Sequence, residues 1–354
     1  MYKTVFILGA GASADVGLPV MNNFMLKAED LLSSNLLSPE ETKSFENILE
    51  TVHQIKGISY QLKNDLGNIE NIFGLLDMGR MLGRLGDVPQ AKIEELYLDI
   101  QKVIGLTIDF NTTLYKDRRG RVKINGPLHS FVEILDEYYF KNGRNNAAII
   151  TLNYDLALEY ALQHYGLLPN YFIDGQEILG RVPLLKLHGS LNWAISPEGN
   201  LLNWDLSKLL NEVGTLKHGT DYSLVVSKYF FNNQTPLGTN ISKPFIVPPT
   251  WNKGQHHSQI GSIWRKAVDY LLQAQAIYII GYSMPETDMF FRHLLSLGTY
   301  SKTNIRRLWV YDIAKEVGKR FEAIIGDGLR PAFDFQEIPF QSAIKHIAEK
   351  VRLT

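Results

Sequence analysis

The chain has no cysteine among its 354 residues. That excludes disulfides, thiolate nucleophiles and any zinc site built on Cys ligands, and it fits a reducing compartment. Long apolar runs are also missing. None approaches the ~18 residues that a membrane-spanning helix needs. The apolar run Val5–Leu8 near the N-terminus is too short for the core of a secretion signal. A cytoplasmic protein is therefore expected. Nor is there an excess of charge: 36 Lys and Arg stand against 37 Asp and Glu, for a formal net charge of -1. Direct binding of nucleic acid or of an anionic membrane surface is not expected from such a balance. The one basic run, Lys116 to Arg121, reads as a solvated loop. Repeats, heptads and low-complexity tracts are absent as well. What remains is globular composition, 45% hydrophobic and 21% charged, with apolar material for a sizeable core.

Short apolar runs alternate with segments of helical spacing. Val5–Leu8, Ala147–Leu152, Pro183–Leu187, Ala276–Ile280 and Leu308–Tyr311 read as strands buried on both faces. Pro244 to Pro248 is a weaker candidate. Helices are predicted after Pro19 (Met21, Phe24, Met25, Ala28, Leu31, Leu32), over His129–Tyr139, Asp155–His164, Ile260–Ala274, Glu286–Leu297 and Ala343–Arg352. Residues 38–125 change character: charge becomes frequent and apolar residues recur at helical spacing, as in Phe45, Ile48, Leu49, Val52 and Ile93, Leu96, Ile100, Val103. We read this stretch as a mainly helical insertion, with a loop over Gly120–Gly126. Residues 195–245 read as loops and short strands at the edge. The alternation predicts an α/β fold with a Rossmann-like parallel sheet, covering residues 1–354 as one domain.

Several strands run straight into polar or glycine-rich segments, which is where open α/β sheets bind ligands. Gly9-Ala10-Gly11-Ala12-Ser13 follows the first strand and has the form of a diphosphate-binding turn. Ala14 stands where the full dinucleotide pattern has its third glycine. Asp15 would repel a phosphate, so it is read as a cap or a ribose contact. Asn153 and Asp155 follow the second strand, where they can cap the next helix or bind sugar hydroxyls. Of nine histidines, His188 is the best placed, directly after a strand and before Gly189 and Ser190. An imidazole there can serve as a general base near neutral pH, or be a satisfied core side chain. Gly281-Tyr282-Ser283 can meet phosphate. Asp312, after the last strand, can accept ribose hydroxyls or simply close a turn. Asn68–Phe73 reads as a plain amphipathic helix, with polar groups turned to the pocket as the alternative. His256 and His257 are adjacent, so their side chains diverge and no metal site is expected.

On these motifs the chain resembles the sirtuin superfamily, and most closely the sirtuin-like branch of bacterial anti-phage defence systems. Gly9–Ser13 with Gly17-Leu18-Pro19 resembles the family's glycine loop. Thr151–Asp155 resembles its Thr-x-Asn-x-Asp segment, Leu187–Ser190 its His-Gly segment, and Gly281–Ser283 its Gly-x-Ser. The spellings Lys186–Trp193 and Gly281–Asp288 are similar to the defence branch in particular. The resemblance implies NAD+ as substrate, with no metal, and hydrolysis to nicotinamide and ADP-ribose; a cyclic product stays open. It assigns chemistry to His188, Asn153 and Asp155. It assigns binding to Gly9, Ala10, Gly11, Ala12, Ser13, Asp15, Pro19, Gly189, Ser190, Gly281, Tyr282, Ser283 and Asp312. It implies a homo-oligomer, and as partner a HerA-type ATPase or another phage-sensing protein. Two departures separate the chain from deacylating sirtuins: the four-cysteine zinc ribbon is missing, and Val20-Met21-Asn22 replaces Asp-Phe-Arg. A non-catalytic module that senses NAD or ADP-ribose and a zinc-free deacylase are the alternatives.

Overall fold

The computed structural model describes residues 3–58, 67–112, 114–116, 122–124, 126–140, 146–204, 206, 214–217, 223–226, 244–247, 257–285, 288–300 and 305–352. Residues 117–121 of the basic run, His256, Glu286, Thr287 and much of the 195–245 segment lie outside these.

A seven-stranded sheet organises the chain. In chain order its strands are β1 (Thr4–Leu8), β4 (Ala147–Thr151), β5 (Pro169–Asn170), β6 (Val182–Lys186), β13 (Ala276–Ile280), β14 (Arg307–Asp312) and β15 (Phe333–Glu337). Their spatial order is β15-β14-β13-β1-β4-β6-β5, and every pairing is parallel. β1, β4, β6 and β13 are buried along their whole length, which is why each reads as an apolar run through its middle. Phe6 shows the packing. Its ring meets Phe131 and Tyr139 edge-on at 5.1 and 5.5 Å and stacks on Tyr278 at 5.3 Å. β1 lies at a switch in topology: the chain adds β4 and β6 on one side and β13, β14 and β15 on the other. The crevice beyond the carboxyl end of such a strand is the expected ligand site.

Helices cover the sheet: α1 (Phe24–Ser33), α5 (Pro127–Leu135), α6 (Ala157–His164), α7 (His257–Gln273), α8 (Met289–Thr299), α9 (Lys315–Glu322) and α10 (Phe340–Arg352). Between α1 and α5 lie α2 (Pro39–Ile58), α3 (Ile69–Leu82) and α4 (Gln90–Asn111). Local chemistry starts these helices. The Ser38 amide donates to Glu41 and the Glu41 amide to Ser38 Oγ, a reciprocal cap on α2. Asn68 Oδ1 accepts the Glu70 amide at 2.8 Å at the start of α3. Buried Asp99 of α4 accepts from Ser44 and Asn47, which ties α4 to α2.

The structure departs from the sequence reading in three places. The stretch read as a loop around Gly120 contains β3 (Val122–Lys123), which pairs with β2 (Leu114–Lys116). These join β10 (Gly214–Lys217) and β11 (Ser223–Val226) in an antiparallel sheet of order β10-β11-β2-β3. Its strands are short, and their partners lie about a hundred residues apart, so no local pattern reveals it. Between Asp312 and Ala343, where no element was read, the chain forms α9 and β15. Every β15 residue is at least partly exposed, so it lacks the apolar run of a central strand. The glycine loop does not open a helix: it forms two short 3-10 turns, Ala10–Ala12 and Ala14–Val16, and α1 begins only at Phe24.

Phe6→Ala is expected to cost about 3–5 kcal/mol, read as a lower urea midpoint at unchanged m-value.

Candidate active site

Four strand ends meet at one level. Gly9 N donates to Ile280 O at 3.0 Å, Gly281 N to Tyr311 O at 2.9 Å, Leu152 N to Leu8 O at 3.2 Å and Leu187 N to Thr151 O at 3.0 Å. Above them lies a cavity of about 600 Å³, within the usual range for small-molecule sites. Its lining includes Gly9, Ala10, Gly11, Ser13, Asn153, Tyr154, Asp155, His188, Gly281, Tyr282, Ser283 and Asp312. All four motif segments therefore reach the same space. Pro19 also lines it, beside Leu18, Val20 and Met21. α3 and α4 supply Ile69, Phe73, Ile104 and Ile108, so one wall is apolar, with Asn68 and Glu70 at its edge.

The glycines are there because nothing larger fits. A Cβ on Gly9 would lie 2.5 Å from Gly281 O, and one on Gly281 would lie 2.5 Å from the Ala12 amide nitrogen. Gly281 also has a left-handed φ of 61°. The glycine loop and the turn after β13 thus touch backbone to backbone, joined by Gly11 N donating to Gly281 O at 2.9 Å.

This contact changes how the loop meets a ligand. Helix-start amides were expected to face an anion. Instead the amides of Gly9, Gly11, Ala12 and Ser13 all donate within the protein. Among the described residues only the Ala10 amide of this loop has no partner. Asn153 Nδ2 donates to Gly9 O at 2.9 Å and to Ser13 Oγ at 3.1 Å. The Ser13 hydroxyl in turn bonds the Asp155 carboxylate. With both hydrogens of its amide group used, Asn153 has its carbonyl oxygen left for a ligand.

Asp155 is buried and accepts the Ala157 amide at 2.9 Å, so it caps α6 while also lining the cavity. Burial pushes its carboxyl above the usual aspartate range; the Lys186 ammonium and the hydrogen bonds pull it partly back. Lys186 and Glu159 form an ion pair at 2.7 Å, each 1% exposed, and Lys186 Nζ also donates to Asp155 O. This pair sits beneath the 153–155 loop.

His188 is buried, with its ring 6.2 Å from that of Tyr154. Its main chain is fixed on both sides: Trp264 Nε1 donates to Leu187 O at 3.1 Å, and Val247 N to His188 O at 2.8 Å. Nε2 lies 3.7 Å from Oδ2 of Asp288. Asp312, after β14, accepts the Ala314 amide at 2.9 Å. Burial, as the main cause, raises its pKa.

Four expected contacts stand away from the cavity lining. Ala12 is packed in the core and Asp15 is exposed to solvent. Gly189 and Ser190 form β7, paired with β12 (Phe245–Ile246). Gly189 has φ 88°, and a Cβ there would lie 2.1 Å from Phe245 O. Ser190 Oγ donates to Asn192 Oδ1 at 2.7 Å. They shape the turn that carries His188 from behind. Conversely, sequence reasoning gave no site role to Asp288, read only as the end of the Gly281–Asp288 spelling, nor to Glu316 or Arg320, all of which line the cavity. Arg320, on α9, is the one Lys or Arg among the described lining residues, and its Nη1 donates to Ser283 O at 2.9 Å. No local signal marks it, because 37 residues separate it from its partner.

The Asp155 shift makes a pH prediction. Its folded-state pKa lies above the ordinary value of 3.8. Its contribution to stability is therefore full below that value and falls as pH rises toward the folded pKa. Asp155→Asn keeps an acceptor for the Ala157 amide and cannot ionise. Relative to wild type, the variant should be more stable at pH 7 than at pH 4, as compared by urea midpoints. An equal difference at both values would show that burial does not strain this carboxylate.

No protein-family model matches the chain, and no curated protein matches it. Among solved structures it is similar to a Sir2 homologue mutant in complex with ADP-ribose (13% identity, 99% of this chain and 93% of that chain covered, TM-score 0.44). It is also similar to a Sir2 homologue–NAD complex (14%, 99% and 90%, TM-score 0.44). A third is a structure described under the mechanism and regulation of Sir2 enzymes (13%, 100% and 94%, TM-score 0.45). The α/β class of the present chain stands on its own strand pairings. No helix among the described residues is long and apolar enough to cross a membrane.

Proposed function

We propose that this chain is a sirtuin-like NAD+ glycohydrolase that converts NAD+ and water to nicotinamide and ADP-ribose. One observation carries the reading: His188 and the Gly9–Gly11 turn open onto a single cavity, and Asn153 joins the glycine loop to the strand end beside it. The sequence motifs supply the identity of the ligand.

In the reaction the bond between the anomeric carbon and nicotinamide breaks, and its electron pair goes to the pyridine nitrogen. Glycosidic bonds of this kind break through an oxocarbenium-like state. Water then forms the new bond to that carbon. His188 accepts the proton of the attacking water, or that of a ribose hydroxyl. Asn153 orients the ribose and the water through its carbonyl oxygen. Asp155 holds the 153–155 loop in place and lies within the cavity to meet the ribose. The Ala10 amide and Arg320 face the diphosphate, with Ser283 and Ser13 beside them. Asp312 accepts hydrogen bonds from the adenosine ribose. The apolar wall from α3 and α4 lowers the local dielectric, which strengthens each of these polar contacts.

The same motifs support a role as a toxic effector in bacterial anti-phage defence, acting by NAD depletion. Such an activity has to be gated. Self-assembly, or a partner such as a HerA-type ATPase or another phage-sensing protein, would supply the gate.

Purified chain incubated with NAD+ should release nicotinamide without any acyl-lysine peptide. His188→Ala and Asn153→Ala should each lower the rate by roughly 100- to 10,000-fold with little change in melting temperature. Binding of ADP-ribose without nicotinamide release would instead identify a sensing module, and release only with an acyl-lysine peptide a deacylase. In phage-infected cells, nicotinamide release above the uninfected level would support the defence role, and equal levels would remove it.

A further inference from the structure

A carboxylate that is 1% exposed has to be held by partners, and those of Asp288 lie on three different segments. Its Oδ1 accepts the Phe291 amide at 3.4 Å at the start of α8. Its Oδ2 accepts the Tyr282 hydroxyl at 2.9 Å and lies 3.7 Å from His188 Nε2. Cap and hydroxyl pin the carboxylate, and the pinned oxygen is the one that faces the imidazole. The backbone of His188 is fixed independently, by the Val247 and Trp264 bonds. The carboxylate is thus placed to act on the rotation of the ring and on the charge it carries.

We propose that Asp288 is the positioning residue of His188: its carboxylate sets the orientation of the imidazole toward the cavity and favours the protonated ring. A carboxylate at this distance stabilises a positive partner, and with both side chains 5% exposed or less, solvent screens the attraction little. The ring is thereby a stronger base for the proton that the proposed hydrolysis releases.

The surrounding groups define the controls. Glu70 of α3 faces the same cluster, as do Tyr154 after β4, Tyr282 after β13 and Arg292 of α8. Both tyrosines stay neutral at physiological pH. Burial raises them well above their usual range, and the Glu70 and Asp288 carboxylates add to it. Glu70 thus acts on the cluster with the same sign as Asp288. Tyr282 acts with the opposite sign, because its hydroxyl draws on the oxygen that faces His188.

The inference rests on His188 being the general base, yet the pair can be tested without turnover. Full-length chain labelled at histidine is titrated by NMR, with the His188 signal identified by its loss in His188→Gln. Asp288→Asn keeps an acceptor for the Phe291 amide. It should lower the His188 midpoint by about one pH unit. Tyr282→Phe should raise it, and Glu70→Gln should move it less than Asp288→Asn does. The acid limb of kcat/KM for NAD+ should follow the same shift in Asp288→Asn, with the loss falling on kcat rather than KM. An unchanged His188 midpoint in Asp288→Asn overturns the proposal. So does a midpoint in Tyr282→Phe that stays put or falls, which decides the matter if Asp288→Asn does not fold. If wild-type chain consumes no NAD+, the proposed reaction falls, while the titration still decides the pair.

Discussion

The site depends on a contact between two backbones. Gly9 and Gly11 lie against Gly281 and Tyr282 at distances that no side chain could occupy, and each loop donates or accepts a main-chain hydrogen bond across the seam. β1 and β13 are neighbours in the sheet, so their trailing loops leave side by side. With glycine at these positions the loops merge into one floor. Asn153 extends that floor to the third strand by donating to Gly9 O and Ser13 Oγ. The consequence is electrostatic as well as steric. The amides that stitch the floor together are no longer open to an anion. Negative charge in the cavity is left to the Ala10 amide and to Arg320 at the rim.

Beneath the floor a buried polar network fixes the loops from the protein side. Lys186 pairs with Glu159, which accepts from the Tyr171 hydroxyl. Tyr171 accepts from Asn192, and Asn192 accepts from Ser190. Through Asp155 O the same lysine holds the 153–155 loop. A buried ion pair is a poor source of net stability, because desolvation offsets most of the attraction. A fully bonded network does restrict geometry. Here it connects the 153–155 loop of the cavity wall to the 190–192 segment behind His188, which is distant in sequence and follows a different strand.

The helical insertion contributes differently. α3 and α4 bring apolar side chains over the open end of the sheet, while Asn68 and Glu70 mark the polar edge of that wall. Polar groups on one side and apolar ones on the other make an enclosure in which charge is weakly screened.

Strand by strand, the central parallel sheet was legible in the sequence, because strands buried on both faces are apolar through their middle, and β1, β4, β6 and β13 are, with polar residues only at the ends: Thr4, Thr151 and Lys186. The motif segments were legible for a different reason: each has a structural explanation alone, but several glycine, Asn and His segments at the ends of neighbouring strands point to one shared space, and the cavity lining contains each of those segments. Other features were decided only by the fold. The antiparallel sheet joins strands from both halves of the chain, and edge strand β15 carries no uniform apolar signal. Gly189 and Ser190 belong to the His188 motif in sequence but turn out to pair with β12 behind it. Asp288 and Arg320 reach the cavity from helices α8 and α9. Local sequence carries burial and backbone freedom, since these are properties of each residue and its neighbours. Which distant charge comes to lie beside an imidazole or an anion is set by how the helices pack on the sheet, and no window of sequence contains that information.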